Sequence, residues 1–588
     1  MYGFRPTFTI PALHDSRPSH PIDKGSEPLD PKPLTVPSEL PTESADQADG
    51  VRGWGRWAWG FVALGVGLRV FAYLLHFPLW WDEAFVAVNL LQRDYRGLVD
   101  PLDFGQVCPL LFLWAELLAV RLLGFHEWSL RLFPLICSVG SLVLFRVVAG
   151  RILDGRSMLL AVGILAVSVH PIRHAADLKP YSADLLVALI LTAIAFEWIR
   201  RPDQSRWFWL LAAFCPIAFL LSHPSLFIVG GILLALAWPA WQTRLASVRV
   251  AWLAVGLAST LAYAAIYVGF TRNQASAAAP GMSEMWVRSF PPVNDLLGLG
   301  RWLVVAHSGD MLAYPCGGER GGSVLSLLAG LVGLAVLGRS RQWARIGVLI
   351  GPLGLAIVAA ALRLYPYGGP APHGSAARIM QYAAPALCLL IGLGAARILE
   401  RIRSQTLRKR LLQLGCVGLV IVGIAPQIAG YRHPYRAYQA EASRRFARSF
   451  WSELGRNAEV ASLRWDYKAA DWNSIHLGIA VALCNEAIYS PDPPHRRPEL
   501  ALVRSDHPLR CVLEVAPDQD SSRVVAWLEA MQQTYELRRR ETLRVPINEP
   551  GRRAEFENYQ VFEFVPRSLP SQPTEPAGSI GQRVVERR

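Results

Sequence analysis

Three short stretches gather side chains able to do chemistry in a chain otherwise poor in charge. "FPLWWDEAFVAV" (77–88) sets two adjacent carboxylates, Asp82 and Glu83, directly after a long apolar run and two tryptophans. "VHPIRHAADLKPYSADLL" packs Arg173, His174, Asp177, Lys179, Tyr181 and Asp184 into twelve residues, more than a turn between two apolar helices needs. "YPYGGPAPHGSAARIMQY" (365–382) adds glycines, His373, Arg378 and Tyr382. A carboxylate can act as a general base or hold a metal ion. Cations and backbone amides suit a phosphate, and arginine can grip one with two parallel hydrogen bonds.

Each stretch also has a bland reading. Asp82 could cap a helix starting at Glu83, since aspartate is favoured there. Lys179 and Arg173 could snorkel to an interface, with Tyr181, Trp80 and Trp81 as aromatic anchors. Carboxylates in or beside a bilayer are costly, however, and are functional suspects for that reason. The three stretches in combination describe a base beside a phosphate site, suited to transfer from a lipid-phosphate donor.

The elements that must position them are membrane helices. The 588 residues are 52% hydrophobic and 18% charged, and the apolar residues come in blocks divided by short polar joints. Blocks of that kind match a hydrocarbon layer of ~30 Å, in which backbone groups stay paired only in helices or closed barrels. About eleven spans are expected, the first at 55–77 and the last at 411–429. The block 109–124 is short and carries Glu116 and Arg121, so it is read as lying at the interface. With that assignment, Arg151, Arg156, Arg200, Arg201, Arg206, Arg244, Arg249, Arg339, Arg341, Arg345 and the run "RIRSQTLRKR" all share the side of the N-terminus. The positive-inside rule makes that side cytoplasmic, and the three chemical stretches external. The net charge of +13 is therefore a topology signal, and a nucleic-acid partner is not expected.

The motifs resemble those of the GT-C glycosyltransferases, in particular the group of protein O-mannosyltransferases and the bacterial aminoarabinose transferase. "WWDEAFVAV" is similar to an Asp-Glu motif after the first span. "CPLLFLWAELLAVRLLGFHEWSLRLFPLICSVGSLVLFRVV" is similar to a proline-led juxtamembrane helix followed by an "R-L-P" opening of the second span. "PIRHAADLKPYSADLLVALI" resembles a basic-plus-acid segment before a later span. The likeness runs over roughly 55–430 and is strongest over 78–200.

The resemblance implies an inner (plasma) membrane, multi-pass enzyme that takes a monosaccharide from a polyprenyl-phosphate carrier and passes it to a lipid, glycan or protein at the external face. It implies Asp82 as the base, Glu83 as its support, and Asp177 as a second acid binding acceptor, sugar or a metal. Lys179, Arg173 and Arg378 become candidates for the donor phosphate, and His174, Tyr181, His373 and Tyr382 complete the binding set. A divalent cation is compatible with the carboxylates, although no metal site is read. One departure stands out: relatives often have Arg-Tyr late in the third stretch, whereas this chain has Gln381 before Tyr382. A polytopic transporter or lipid-linked-sugar flippase is the alternative reading; it would show an internal repeat and broken helices at the bilayer midplane, and no convincing repeat is present.

The fold class expected is thus an all-α polytopic membrane protein with external juxtamembrane helices and a small C-terminal α/β external domain. The divisions are a disordered cytoplasmic tail at 1–50, a catalytic membrane domain at 51–430, the α/β domain at 431–566 and a disordered basic tail at 567–588. In the third of these, "EVASLRWDY", "RCVLEVA", "YELRRRETLRVP" and "YQVFEFVP" alternate as strands do, and "SSRVVAWLEAMQQTY" reads as a helix. With Cys108, Cys316, Cys484 and Cys511 all external, the pairs Cys484–Cys511 and Cys108–Cys316 are the expected disulfides.

Overall fold

The computed structural model describes residues 45–318, 321–368, 370–371, 374–454, 459–464, 477–490, 495–498, 502, 507–515, 521–546 and 556–567. The expected tails, 1–44 of the first and 568–588 of the last, lie outside them, as does His373.

The chain runs α1 (Ala45–Leu74), α2 (Trp81–Gln92), α3 (Leu110–Leu123), α4 (Leu132–Ile152), α5 (Gly155–Val167), α6 (Val169–His174), α7 (Tyr181–Arg200), α8 (Arg206–Leu221) and α9 (Ser225–Gln242). It continues with α10 (Ala246–Ile266), α11 (Arg272–Met285), α12 (Leu296–Ser308), α13 (Val324–Arg339), α14 (Trp343–Ala361), α15 (Ala384–Glu400) and α16 (Gln405–Arg432). By length and composition, eight helical stretches among the described residues can cross a membrane. Three shorter apolar helices, α5, α8 and α13, account for the remaining apolar blocks of the sequence. The 14-residue α3 rises only ~21 Å, less than a hydrocarbon layer. It buries Phe112, Leu113 and Leu117 against the bundle and exposes Leu118, Leu122 and Leu123.

The 20-residue α7 separates two chemically different ends by ~30 Å. At its C-terminal end Glu197 accepts from both Arg151 (2.5 Å) and Arg200 (3.2 Å). At its N-terminal end lie Lys179 and Tyr181 with the other candidate residues. The joint that carries Arg151 and Arg200 thus lies at the end of α7 opposite Lys179 and Tyr181.

Close helix packing depends on small residues, as is usual where lipid removes the hydrophobic drive for association. A Cβ on Gly394 of α15 would stand 1.8 Å from the Ala329 carbonyl of α13, and one on Gly333 of α13 would stand 2.1 Å from the Leu390 carbonyl.

Beyond α16 come α17 (Tyr438–Leu454), α18 (Leu477–Tyr489) and α19 (Ser521–Gln532). Two-residue strands β1 (Pro370–Ala371) and β2 (Gly374–Ser375) pair earlier in the chain. The C-terminal strands are β3 (Glu459–Arg464), β4 (His495–Pro498), β5 (Leu509–Val515), β6 (Tyr535–Pro546) and β7 (Phe556–Pro566), in the order β4-β3-β5-β7-β6. The β4-β3-β5 portion is parallel, and β7 runs antiparallel to both β5 and β6.

The sequence reading anticipates most of these strands but not β4 or α18. Helix α18 packs on α2, where Ala480, Leu483 and Cys484 join the core formed by Ala84, Phe85 and Val88. That cover explains the apolar run Ala84–Val88 of α2: a helix segment buried all round has no solvent stripe to keep polar. Neither expected disulfide is found among the described residues. Cys484 faces the Ala84 carbonyl in the α2 core, whereas Cys511 is buried under α19 in the sheet core, so the two belong to different packing units. Cys108 is buried while Cys316 is exposed.

Gly394→Val should lower the unfolding temperature in detergent by forcing α13 and α15 apart, at a cost of at least ~1–3 kcal/mol. An unchanged melt would show that the two helices have room to separate.

Candidate active site

Helix α2 begins at Trp81, and its N-cap is Trp80, which makes no capping hydrogen bond through its side chain. Asp82 is therefore not the cap. It occupies the first turn, where the helix's partial positive charge favours a carboxylate, and its oxygens face two cations. Lys179 Nζ lies 2.9 Å from Oδ1, and Arg378 Nη1 lies 3.1 Å from Oδ2. Lys179 also donates to Gln106 Oε1 at 2.7 Å. The Arg378 guanidinium sits over the Trp286 ring, 5.5 Å from its centroid. The first and third chemical stretches, 296 residues apart in sequence, thus meet at one carboxylate.

Glu83 is tied into a network of its own. It is fully buried, and both its oxygens take the Arg131 guanidinium, with Nε to Oε1 at 2.7 Å and Nη2 to Oε2 at 2.5 Å. Oε1 also accepts from the Leu178 backbone amide at 2.9 Å. Arg131 continues to the carbonyls of Phe77 (2.6 Å) and Pro78 (3.3 Å). One side chain therefore fixes the start of α2, the opening of α4 and the loop that carries Asp177 and Lys179.

Asp177 is buried beside a different cation. Arg436 Nη1 lies 2.6 Å from Oδ1, and His174 Nδ1 lies 3.0 Å from Oδ2. Trp80 Nε1 donates to Oδ1 at 3.4 Å. Burial alone would raise this carboxyl, but the charge of Arg436 and the His174 hydrogen bond hold it well below the usual carboxylate range. Burial pushes His174 down to about 4, against the pull of Asp177, and its Nε2 has no partner.

Of the remaining candidates, Tyr181 is buried at the head of α7 against the His174 ring (centroids 4.9 Å), within range of the Asp82 and Arg378 charges. Tyr382 is buried one turn beyond Arg378. Arg173 is exposed at the rim, and its carbonyl accepts from Arg436 at 3.1 Å. Among the described residues no three His, Cys, Asp or Glu side chains converge as a metal site.

The sequence reading did not assign Arg131, Arg436, Gln106 or Trp286 to the site. Arg131 stood in the "R-L-P" motif, yet nothing local shows that its partner is Glu83. Arg436, in "HPYRAYQ" beyond the last span, carries no signal except its position just past the membrane.

Two outcomes follow. Arg131→Met should destabilise the protein by ~3–5 kcal/mol by leaving Glu83 buried and unpaired, and the added Glu83→Gln change should recover much of that in a detergent melt. Between pH 6.5 and about 4 the unfolded chain binds a proton at His174 that the folded one refuses, so stability falls as pH falls. The same melts with His174→Gln should be flatter over that window.

Residues 107–267 match the family model "Dolichyl-phosphate-mannose-protein mannosyltransferase". No curated protein sequence matches the chain. Among solved structures, ArnT from Cupriavidus metallidurans in the apo state aligns at 13% identity over 86% of this chain and 98% of that one, with a TM-score of 0.47. The same protein bound to undecaprenyl phosphate aligns at 13% identity over the same shares, with a TM-score of 0.45. The Archaeoglobus fulgidus oligosaccharyltransferase aligns at 10% identity over 84% of this chain and 72% of that one, with a TM-score of 0.43. The family match runs from the residues before α3 to just past the end of α10, taking in Arg131, Asp177, Lys179 and Tyr181, and over that stretch it bears out the resemblance to the protein mannosyltransferases.

Proposed function

We propose that the protein is a glycosyltransferase that moves a monosaccharide from a polyprenyl-phosphate donor to a lipid, glycan or protein acceptor at the external face of the membrane. The observation that carries this reading is Asp82 held between Lys179 and Arg378 at one end of the helical bundle, away from the arginine-bearing joints.

In the structure the carboxylate pairs with both cations and leaves one positive charge unbalanced. A donor phosphate entering between Lys179 and Arg378 supplies them with new acceptors and releases Asp82. Asp82 then takes the proton of the acceptor hydroxyl as that oxygen attacks the anomeric carbon. The bond from the anomeric carbon to the phosphate oxygen breaks, and the electron pair leaves with polyprenyl phosphate, whose charge the two cations stabilise. A single displacement of this kind inverts the anomeric configuration. Asp177, neutralised by Arg436, shapes the neighbouring wall, and the exposed Arg173 stands where a lipid-linked headgroup would arrive. A divalent cation, if required, would have to share Asp82 or Asp177 with their present cations.

Asp82→Asn should abolish transfer of radiolabelled sugar from polyprenyl-phosphate donors in membranes, by 10²-fold or more for loss of a general base. Equal transfer by the variant and the parent would remove Asp82 as the base, and chelator added to the same assay tests the cation. For the external face, Cys316 is exposed on the loop before α13, and the Pro315 carbonyl beside it accepts from the head of α6. In intact cells it should react with a membrane-impermeant maleimide; protection until lysis would place the site on the cytoplasmic side.

A further inference from the structure

At the end of the bundle opposite the Asp82 site, α1 and α16 leave a cleft of about 670 Å³ between them. Trp57, Phe61 and Leu64 line it from α1, and Lys409, Gln413 and Val417 from α16, each set at the spacing of one helix face. The lining runs from Trp54 to Leu64 on one wall and from Lys409 to Val420 on the other, ~15 Å of helix in each case. That is the depth of one leaflet in a hydrocarbon layer of ~30 Å. Deeper in, the helices close up. A Cβ on Gly423 of α16 would stand 2.9 Å both from Leu68 of α1 and from Val167 of α5. The cleft is therefore a blind slot, and its lip is exposed at Trp57 and Val417.

The chemistry of the walls changes with depth in the order of a phospholipid. Lys409 stands at the mouth, Gln413 lies one turn (~6 Å) further in, and Val417, Phe61 and Leu64 follow. The mouth is strongly basic, because Arg401, Arg403, Arg408, Lys409 and Arg410 come within ten residues that hold no acid. Nearby carboxylates are engaged elsewhere: Glu400 pairs with Arg397 at 2.7 Å, and Asp154 caps α5. Arg408 keeps a buried Nε with no hydrogen-bond partner. Basic clusters at helix ends attract anionic headgroups, and tryptophans such as Trp54 and Trp57 suit the headgroup boundary. A partner helix would run through both leaflets and cover Lys409 with apolar surface, whereas a lipid anion of one leaflet matches both depth and charge.

We infer that the cleft between α1 and α16 binds one anionic glycerophospholipid, with its phosphate at Lys409, its ester groups by Gln413 and one acyl chain against Phe61 and Val417. The site is separate from the Asp82 site: from Trp54 the helix α1 runs ~30 Å to Leu74, beyond which Asp82 stands on α2. The lipid fills the gap between the first and the last long apolar helices among the described residues, and so holds α1 to the bundle.

The test uses the full-length protein, stripped of lipid in detergent, and native mass spectrometry with phosphatidylglycerol or phosphatidylcholine of the same chains. The parent should take up one phosphatidylglycerol and hold it more tightly than phosphatidylcholine. Lys409→Gln, at an exposed position, should weaken phosphatidylglycerol about fivefold, the worth of one basic residue near an anionic surface, and leave phosphatidylcholine unchanged. Gly60 also lines the cleft, and a Cβ there would meet nothing within 4 Å. Gly60→Leu should therefore fill the slot and weaken both lipids, while its melt without lipid stays level or rises, since leucine favours a helix over glycine. A photoreactive acyl chain on phosphatidylglycerol should label α1 or α16 in the parent. Four results overturn the inference: a parent without preference for phosphatidylglycerol, a Lys409→Gln variant that keeps the preference in full, a folded Gly60→Leu variant that binds both lipids like the parent, or label confined to other helices.

Discussion

The site depends on one buried ion pair. Glu83 and Arg131 are both removed from water, an arrangement that is tolerable only because every oxygen and most of the guanidinium is met. What the pair secures is geometry. The carboxylate one residue away from Asp82 is locked, so the direction of Asp82 is locked as well. The Leu178 amide on the same carboxylate fixes the loop on which Asp177 and Lys179 stand. An apolar pair of similar volume could be as stable, but it could not hold three chain segments in register through directed bonds.

Around that anchor the site is a ladder of opposite charges taken from distant parts of the chain. Asp82 has Lys179 and Arg378, Glu83 has Arg131, and Asp177 has Arg436, with neutral His174 as a further hydrogen-bond partner. Each carboxylate differs in how much it could give up. Those of Glu83 and Asp177 are buried among bonded partners, whereas Asp82 faces two cations. In the proposed reaction a phosphate claims those cations, and this difference, more than residue type, would separate Asp82 as the reacting group from Glu83 and Asp177 as its supports.

Much of this was legible in the sequence, for a physical reason. A bilayer makes charge expensive, so the few charged residues at span ends stand out, and Asp82, Glu83, Asp177 and Lys179 could be singled out by type and place. The arginines of the joints gave the expectation that they share one face of the membrane. Partners were harder to see, because a salt bridge between residues 48 or 259 positions apart leaves no trace in local spacing. Arg131 looked like a motif residue, and Arg436 looked like an ordinary juxtamembrane cation. Helix α18 was missed because "LGIAVALCNEAIY" lacks the polar stripe of a surface helix, and it lacks that stripe because α2 covers it. The disulfide expectation failed because compartment says that cysteines can oxidise, whereas only the packing says which of them lie together.

The placement of Arg436 has a consequence for how the protein is made. The residue follows the last long apolar helix, so it is translated after every other charged group of the ladder. Until it arrives, Asp177 is a buried carboxylate whose side-chain partners are a histidine and the Trp80 indole. The membrane portion is therefore electrically incomplete as a nascent chain and becomes balanced only when its final segment docks. A chain interrupted before that point would contain every span but could not settle its own interior, which ties the making of the site to the completion of synthesis.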